Sequence, residues 1–189
     1  MALPKAKAQE YYTYDDYCTW EDGERWELID GVAYAMSPAP TWRHQKVSVK
    51  LLAQLLEFLR DKPCEVFHAP FDVRLNAEAG DDTVVQPDIV VICDRSKLSG
   101  TGCIGAPDMV IEILSPGTAR HDRLVKFRLY QNAGVREYWI VDPDDRIVCV
   151  HLLKDGGYIT RAFGEADRVP VSVLDGLLID TADLFADMW

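Results

Sequence analysis

The sequence predicts one domain of the α/β to α+β class, with a mixed central sheet flanked by helices. Strand patterns occur before, between and after two substantial helical patterns. The chain has 189 residues, of which 48% are hydrophobic and 27% charged, an ordinary composition for one compact domain. We expect residues 1–12 to form an N-terminal arm and residues 13–189 to form the domain.

Two long segments carry helical periodicity. The first runs from Thr41 to Leu59, with apolar residues spaced three or four apart, and Pro63 follows it. The second is expected over about Ala119 to Ala133, after a turn at residues 115–118, and Gly134 ends it. A short capped helix is expected after Thr13, because acids fill its first turn.

Strands are predicted where apolar residues alternate or run together. Asp30-Gly31 and Asp155-Gly156-Gly157 are typical turns of β-hairpins. The predicted strands are 26–29, 32–36, 64–69, 71–75, 89–93, 109–114, 137–141, 147–153 and 158–163, and residues 100–107 are predicted as a loop.

The net charge of −11 excludes a basic footprint spread over the whole protein. Net charge does not exclude a local basic surface, however. One segment holds five basic residues against a single acid, Asp122; the bases are Arg120, Arg123, Lys126, Arg128 and Arg136. This segment is the candidate basic surface.

The five cysteines are an odd number and include no C-x-x-C pair. Cys93 and Cys149 stand in apolar runs, where a thiol acts as a small core side chain. We therefore expect reduced thiols. The chain shows neither a signal peptide nor an apolar run of about 20 residues, so a cytoplasmic protein without a membrane span is expected.

Two acids fall in apolar strand patterns, Asp88 before Ile89 and Glu112 within 109–114. A buried carboxylate costs several kcal/mol unless it is paired or binds a metal. Either acid alone could cap an element or pair with one arginine. Together on neighbouring strands about 4.8 Å apart, they favour a shared Mg²⁺ or Mn²⁺ ion, to which the Ile113 carbonyl could also point.

Lys126 is the third candidate of this group. Asp122, Lys126 and Tyr130 are spaced four apart and share one face of the second predicted helix. A lysine beside a metal site can orient the attacking water and offset charge on a phosphate. The alternative is that Lys126 pairs with Asp122 on a solvated face.

Pro87-Asp88, Glu112-Ile113-Leu114 and Lys126 resemble the PD-(D/E)XK nuclease pattern. That pattern places its lysine where Leu114 stands here, so this chain is similar to the variants in which a helix supplies the amine. More closely, the chain resembles the Uma-two family of restriction-endonuclease-like proteins. The matching segments are 27–31, 43–44, 69–73, 86–88, 112–116 and 134–143, within roughly Tyr14 to Tyr158.

The resemblance implies a restriction-endonuclease-like fold and metal-dependent phosphodiester cleavage. It implies that Asp88 and Glu112 are metal ligands and that Lys126 is a catalytic base or charge stabiliser. Glu27 and His44 fall where such families place an N-terminal acid and a helix-borne polar residue facing the site. The expected nucleic-acid contacts are Arg43, Arg120, Arg123 and Tyr130.

The leading hypothesis is a cytoplasmic endonuclease that requires Mg²⁺ or Mn²⁺ and acts on DNA. The alternative is a binding or assembly protein that keeps the fold without turnover, which the charge of −11 favours. The sequence does not decide whether the substrate is DNA or RNA. A homodimer would suit paired cuts in a duplex.

Overall fold

The computed structural model describes residues 11–21, 23–36, 39–117 and 119–188. Most of the expected N-terminal arm, residues 1–10, and Thr118 of the expected turn lie outside this part. Tyr12 is inside it, is buried against Leu28 and Ala33, and donates its backbone N–H to the Gly31 carbonyl. Helices of the length and apolarity needed to cross a membrane are absent from the described ranges.

The elements follow one another along the chain with short connections. The N-terminal half contains α1 (Tyr14–Tyr17), β1 (Trp26–Ile29), β2 (Val32–Ala35), α2 (Trp42–Leu59), β3 (Glu65–His68), β4 (Asp72–Arg74), β5 (Val84–Val85) and β6 (Ile89–Ile92). Next come a 3-10 turn (Arg95–Lys97), β7 (Gly102–Ile104), β8 (Met109–Ile113), α3 (Ala119–His121), a π-helical turn (Asp122–Lys126) and α4 (Phe127–Ala133). The chain continues with β9 (Glu137–Asp142), β10 (Ile147–Lys154), β11 (Gly157–Phe163), β12 (Arg168–Pro170), β13 (Leu178–Asp180) and α5 (Thr181–Leu184).

The central sheet has six strands in the order β11-β10-β9-β8-β6-β3. β8 and β9 are parallel, and the other neighbouring pairs are antiparallel, so the sheet is mixed as predicted. A second sheet, β2-β1-β5-β4-β7, contains the predicted hairpin, whose turn residues Asp30 and Gly31 have φ of 49° and 76°. Those positive φ values are typical of the type I′ turn.

Both faces of the central sheet are covered by apolar cores, because side chains alternate along each strand. Ile111 and Ile113 point to the core that contains α2 and the C-terminal elements. Val110 and Leu114 point to the other core, which contains α4 and residues of the second sheet. Glu112 lies between Val110 and Leu114 in the alternation, so it belongs to the second face.

Helix α2 buries one apolar stripe, and its first turn carries His44. Val47, Leu51 and Leu55 are fully buried, and each contributes about 2 kcal/mol by removal from water. Thr41 caps the helix, since its Oγ1 accepts the backbone N–H of His44 at 3.3 Å. The cap fixes the first turn and therefore the position of His44.

Two short strands of the second sheet were not predicted from the sequence. β7 lies inside the predicted loop 100–107, and β5 has only two residues. Both are defined by pairing with β4, and a Cβ at Gly102 would stand 2.0 Å from the Asp72 carbonyl oxygen. Glycine therefore permits the close approach of β7 to β4.

The expectation of five reduced cysteines is wrong for one pair, because Cys64 and Cys93 form a disulfide. β3 and β6 are antiparallel with Glu65 opposite Ile92, so the same register places Cys64 opposite Cys93. The two residues are 29 positions apart in sequence, and only the strand pairing brings them together. Cys18, Cys103 and Cys149 are free thiols.

We expect thiol titration of the denatured protein to count three thiols without reductant and five after reduction. Peptide mapping under non-reducing conditions should recover the segment with Cys64 linked to the segment with Cys93. Five titratable thiols before reduction would contradict the disulfide.

Candidate active site

Asp88 and Glu112 occupy opposed positions on neighbouring strands. The pairs Ile89–Ile111 and Val90–Val110 define the antiparallel register of β6 and β8, and one further step pairs Asp88 with Glu112. Side chains at opposed positions lie on one face of a sheet. Both acids line the same cleft, where the Glu112 side chain is 5% exposed and that of Asp88 22%.

Asp88 is held by one backbone donor and one imidazole. Its Oδ2 accepts the backbone N–H of Ile113 at 2.7 Å and lies 3.2 Å from His44 Nε2. The N–H and C=O of a strand residue point to the same side, so the Ile113 carbonyl also faces the Asp88 side. The first turn of α2 brings His44 to this carboxylate.

Lys126 lies among carboxylates from three different elements. Its Nζ donates to Glu27 Oε1 at 2.8 Å and to Glu112 Oε1 at 2.9 Å, and Asp122 Oδ1 is 3.8 Å away. Glu27 Oε1 also accepts the backbone N–H of Gln86 at 2.9 Å. The alternative, a solvated pair with Asp122, is wrong, because the pair exists but both of its residues are buried.

The π-helical turn presents Lys126 to the strands. π-helical segments frequently occur at functional sites and are stabilised by local contacts. Here the hydroxyl of Tyr138 donates to the carbonyl oxygen of Asp122 at 3.1 Å, inside the π turn. The turn begins with Asp122 and ends with Lys126, and both side chains are buried.

The cleft carries more negative than positive charge. Burial raises the pKa of Glu112 well above its usual value; Lys126 opposes the shift, and Asp122, Asp88 and Glu27 add to it. For Lys126, burial favours the neutral amine, but the carboxylates outweigh it and raise its pKa well above the usual value. Lys126 is therefore an ammonium ion at neutral pH.

Tyr130 does not contact nucleic acid, contrary to the sequence prediction. Its side chain is fully buried, and its hydroxyl donates to Glu112 Oε1 at 2.7 Å. Burial, followed by the charge of Glu112, raises the pKa of the phenol well above its usual value. Tyr130 thus orients the Glu112 carboxylate from the buried side of the cleft.

The predicted basic contacts lie at the surface. Arg120 is exposed, Arg123 pairs with Asp142 at 2.9 Å, and Arg43 pairs with Asp144 at 3.0 Å. Arg43 and Arg123 therefore bind acids at the end of β9 and in the turn that follows it.

The residues of the cleft fit a small oxygen-binding cation that retains water. Mg²⁺ is commonly bound through one or two carboxylates, with waters completing its shell. Asp88 and Glu112 each have a second carboxylate oxygen outside the bonds described above, and the cleft volume is about 110 Å³. Within the described ranges, no three His, Cys, Asp or Glu side chains form a ready-made metal cluster. The fit is thus to a hydrated ion bound by two acids.

The cleft contains all five residues predicted to be catalytic, namely Glu27, His44, Asp88, Glu112 and Lys126. Sequence reasoning missed Gln86, whose backbone positions Glu27. It also missed His121, which the structure places in the same cleft.

Comparison with known proteins identifies the family. A model of the Uma2 family, described as "Putative restriction endonuclease", matches residues 9–182. The chain belongs to the Uma2 family. An uncharacterized protein of Synechocystis sp. is 30% identical over 159 residues, which are 82% of each chain. The predicted resemblance to the Uma-two family is therefore confirmed.

A solved structure shares the fold of this Uma2-family chain. The crystal structure of a protein from Anabaena variabilis, described as a putative nuclease belonging to DUF820, matches with a TM-score of 0.76 and 23% identity. The match covers 94% of this chain and 99% of the other. The predicted fold class, a mixed sheet flanked by helices in a nuclease-like architecture, is confirmed.

We expect Lys126→Met to lower the free energy of unfolding by about 3–5 kcal/mol at pH 7, because it leaves buried carboxylates without their cation. Without the ammonium, the folded-state pKa of Glu112, which burial already raises, rises further, so the folded variant takes up a proton at higher pH than the unfolded chain and gains stability as pH falls. The difference in free energy of unfolding between variant and parent, measured by denaturant unfolding, should therefore become smaller as pH falls from 8 to 5.

The control is Lys154→Met, at an exposed strand end. It should change stability by less than about 0.5 kcal/mol, since it removes no buried partner. A Lys126→Met variant as stable as this control would show that the buried ion pairs contribute nothing net.

Proposed function

We propose that this protein is an endonuclease that requires Mg²⁺ or Mn²⁺ and hydrolyses phosphodiester bonds in DNA. The carrying observation is that Asp88 and Glu112 occupy opposed strand positions in one cleft, beside the ammonium of Lys126. Membership of a restriction-endonuclease-like family supports the same proposal.

Asp88, Glu112 and the Ile113 carbonyl would hold the cation. When bound, a divalent ion neutralises phosphate charge and makes water more acidic. The chain keeps the two acids ready for it, since the Ile113 N–H holds Asp88 and the Tyr130 hydroxyl holds Glu112. Burial raises the pKa of Glu112 most, and a cation would offset the further contribution of the neighbouring acids.

Lys126 acts in this proposal as a charge stabiliser. A lysine acts as a general base only as the neutral amine, whereas Glu112, Glu27 and Asp122 keep Lys126 protonated. A fixed ammonium in a buried site offsets the charge that develops on the phosphate without reorganisation. Glu27 is its positioning residue, since it holds the amine from the second sheet.

The surface arginines would bind the DNA backbone. Arg43 and Arg123 are paired with Asp144 and Asp142, so phosphates must displace these acids. Each phosphate contact releases counterions from DNA, which makes binding weaken as salt rises. We therefore expect DNA binding to weaken as the salt concentration rises.

We expect purified protein to cleave plasmid DNA with Mn²⁺ or Mg²⁺ and to stop when a chelator is added. Asp88→Asn and Glu112→Gln should each lower the rate at least about 100-fold, because each weakens the cation site at unchanged size. Glu165→Gln, at an exposed residue paired with Arg146, is the matched control and should cut normally.

Calorimetric titration with Mn²⁺ separates the endonuclease from a silent binding protein. If the protein is an endonuclease, the parent should bind Mn²⁺ and the Asp88→Asn variant should not. A protein that binds DNA without a metal site and without cleavage would instead be the binding or assembly protein.

Lys126→Met should lower the turnover number far more than the affinity for Mn²⁺, because the ammonium acts on the phosphate rather than on the ion. Turnover is measured at a temperature where circular dichroism shows the variant folded. Unchanged turnover, or a loss confined to Mn²⁺ affinity, would contradict the role of Lys126.

A further inference from the structure

His121 is a buried histidine at the edge of the candidate active site. It is the last residue of α3, directly before the π turn, and it is 5% exposed. It lines the same cleft as Asp88, Glu112 and Lys126. The proposed catalytic steps above do not use it.

Neither ring nitrogen of His121 has a hydrogen-bond partner among the described residues. Leaving a buried polar group unpaired costs about 1–3 kcal/mol, so such a group needs an explanation. His151 offers a contrast, because its Nδ1 lies 2.7 Å from Thr160 Oγ1 and its ring packs in an aromatic cluster away from the cleft.

Packing alone places the His121 ring. It lies against the ring of Tyr34, with centroids 5.2 Å apart. Tyr34 pairs with Glu27 across β1 and β2, so the hairpin that positions Lys126 also positions His121. The ring is therefore fixed by packing, and both of its nitrogens are buried without a hydrogen-bond partner among the described residues.

The imidazole is neutral at pH 7. Burial lowers its pKa and the charge of Lys126 lowers it further, against the opposing charge of Glu27. A neutral imidazole carries one N–H donor and one acceptor nitrogen. A donor in a cleft that also holds an ammonium suits an anionic oxygen.

We propose that His121 is a substrate-contacting residue whose imidazole N–H donates to a non-bridging oxygen of the phosphodiester in the cleft. The proposal rests on the proposed function, because the phosphodiester is the ligand which that function places beside Asp88, Glu112 and Lys126. It adds a recognition contact from α3 to a site otherwise built from strands, α2 and the π turn.

Two variants separate hydrogen bonding from packing. His121→Phe keeps a ring against Tyr34 but has no donor, whereas His121→Gln keeps a donor but has no ring. If His121 contacts phosphate, His121→Phe should lose about 100-fold in kcat/KM, with stability equal to or above the parent, and His121→Gln should retain more activity. The reverse order of activities would show a packing role and overturn the proposal.

A binding measurement keeps this test independent of cleavage. With Ca²⁺ in place of Mg²⁺, a short DNA duplex is added at saturation, and the ¹⁵N resonances of the His121 imidazole are followed, assigned by their loss in His121→Gln. Shifted His121 resonances support the contact even if the protein never cuts DNA. Unchanged resonances overturn it, even if the parent cleaves DNA normally.

Discussion

The ammonium group of Lys126 joins three parts of the molecule at the cleft. Glu27 comes from the second sheet, Glu112 from the central sheet and Asp122 from the π turn, and all are buried. Buried charges are stable only when they are paired and hydrogen-bonded. The two sheets and the helix share an apolar core, but at the cleft the arrangement of the carboxylates depends on this one amine.

The ion cluster extends outwards through Gln86. Its backbone N–H holds Glu27, and its side-chain amide donates to the Tyr17 hydroxyl and to Asp72 Oδ1, both at 2.9 Å. The acid that fixes the amine is thus itself fixed by α1 and β4. Such satisfied polar networks rigidify a site, because each group has one arrangement in which its partners are all met. The cleft is held in place before any ligand arrives.

Much of the fold and the acidic pair could be predicted, because both leave local signals in the sequence. Hairpins are encoded by Asp-Gly turns, and an acid in an apolar strand is conspicuous, as Glu112 shows. What escaped prediction depends on register and on distant contacts. The Cys64–Cys93 bond requires the pairing of β3 with β6, and helical spacing alone could not show that the Tyr130 face points inward. His121 carried no signal at all, since only its position in the folded cleft distinguishes it.

The π turn has a consequence for how this segment tolerates change. In a regular α-helix each residue advances the helix by about 100°. Removing one residue from Asp122–Lys126 would tighten the π turn and rotate α3 relative to α4 by about that angle. His121, in α3, would then move away from the cleft, whereas Tyr130, in α4, would keep its hydrogen bond to Glu112. Exposed residues here such as Arg123 and Leu124 can be exchanged without that rotation. The length of the segment is therefore constrained as tightly as the identities of Asp122 and Lys126.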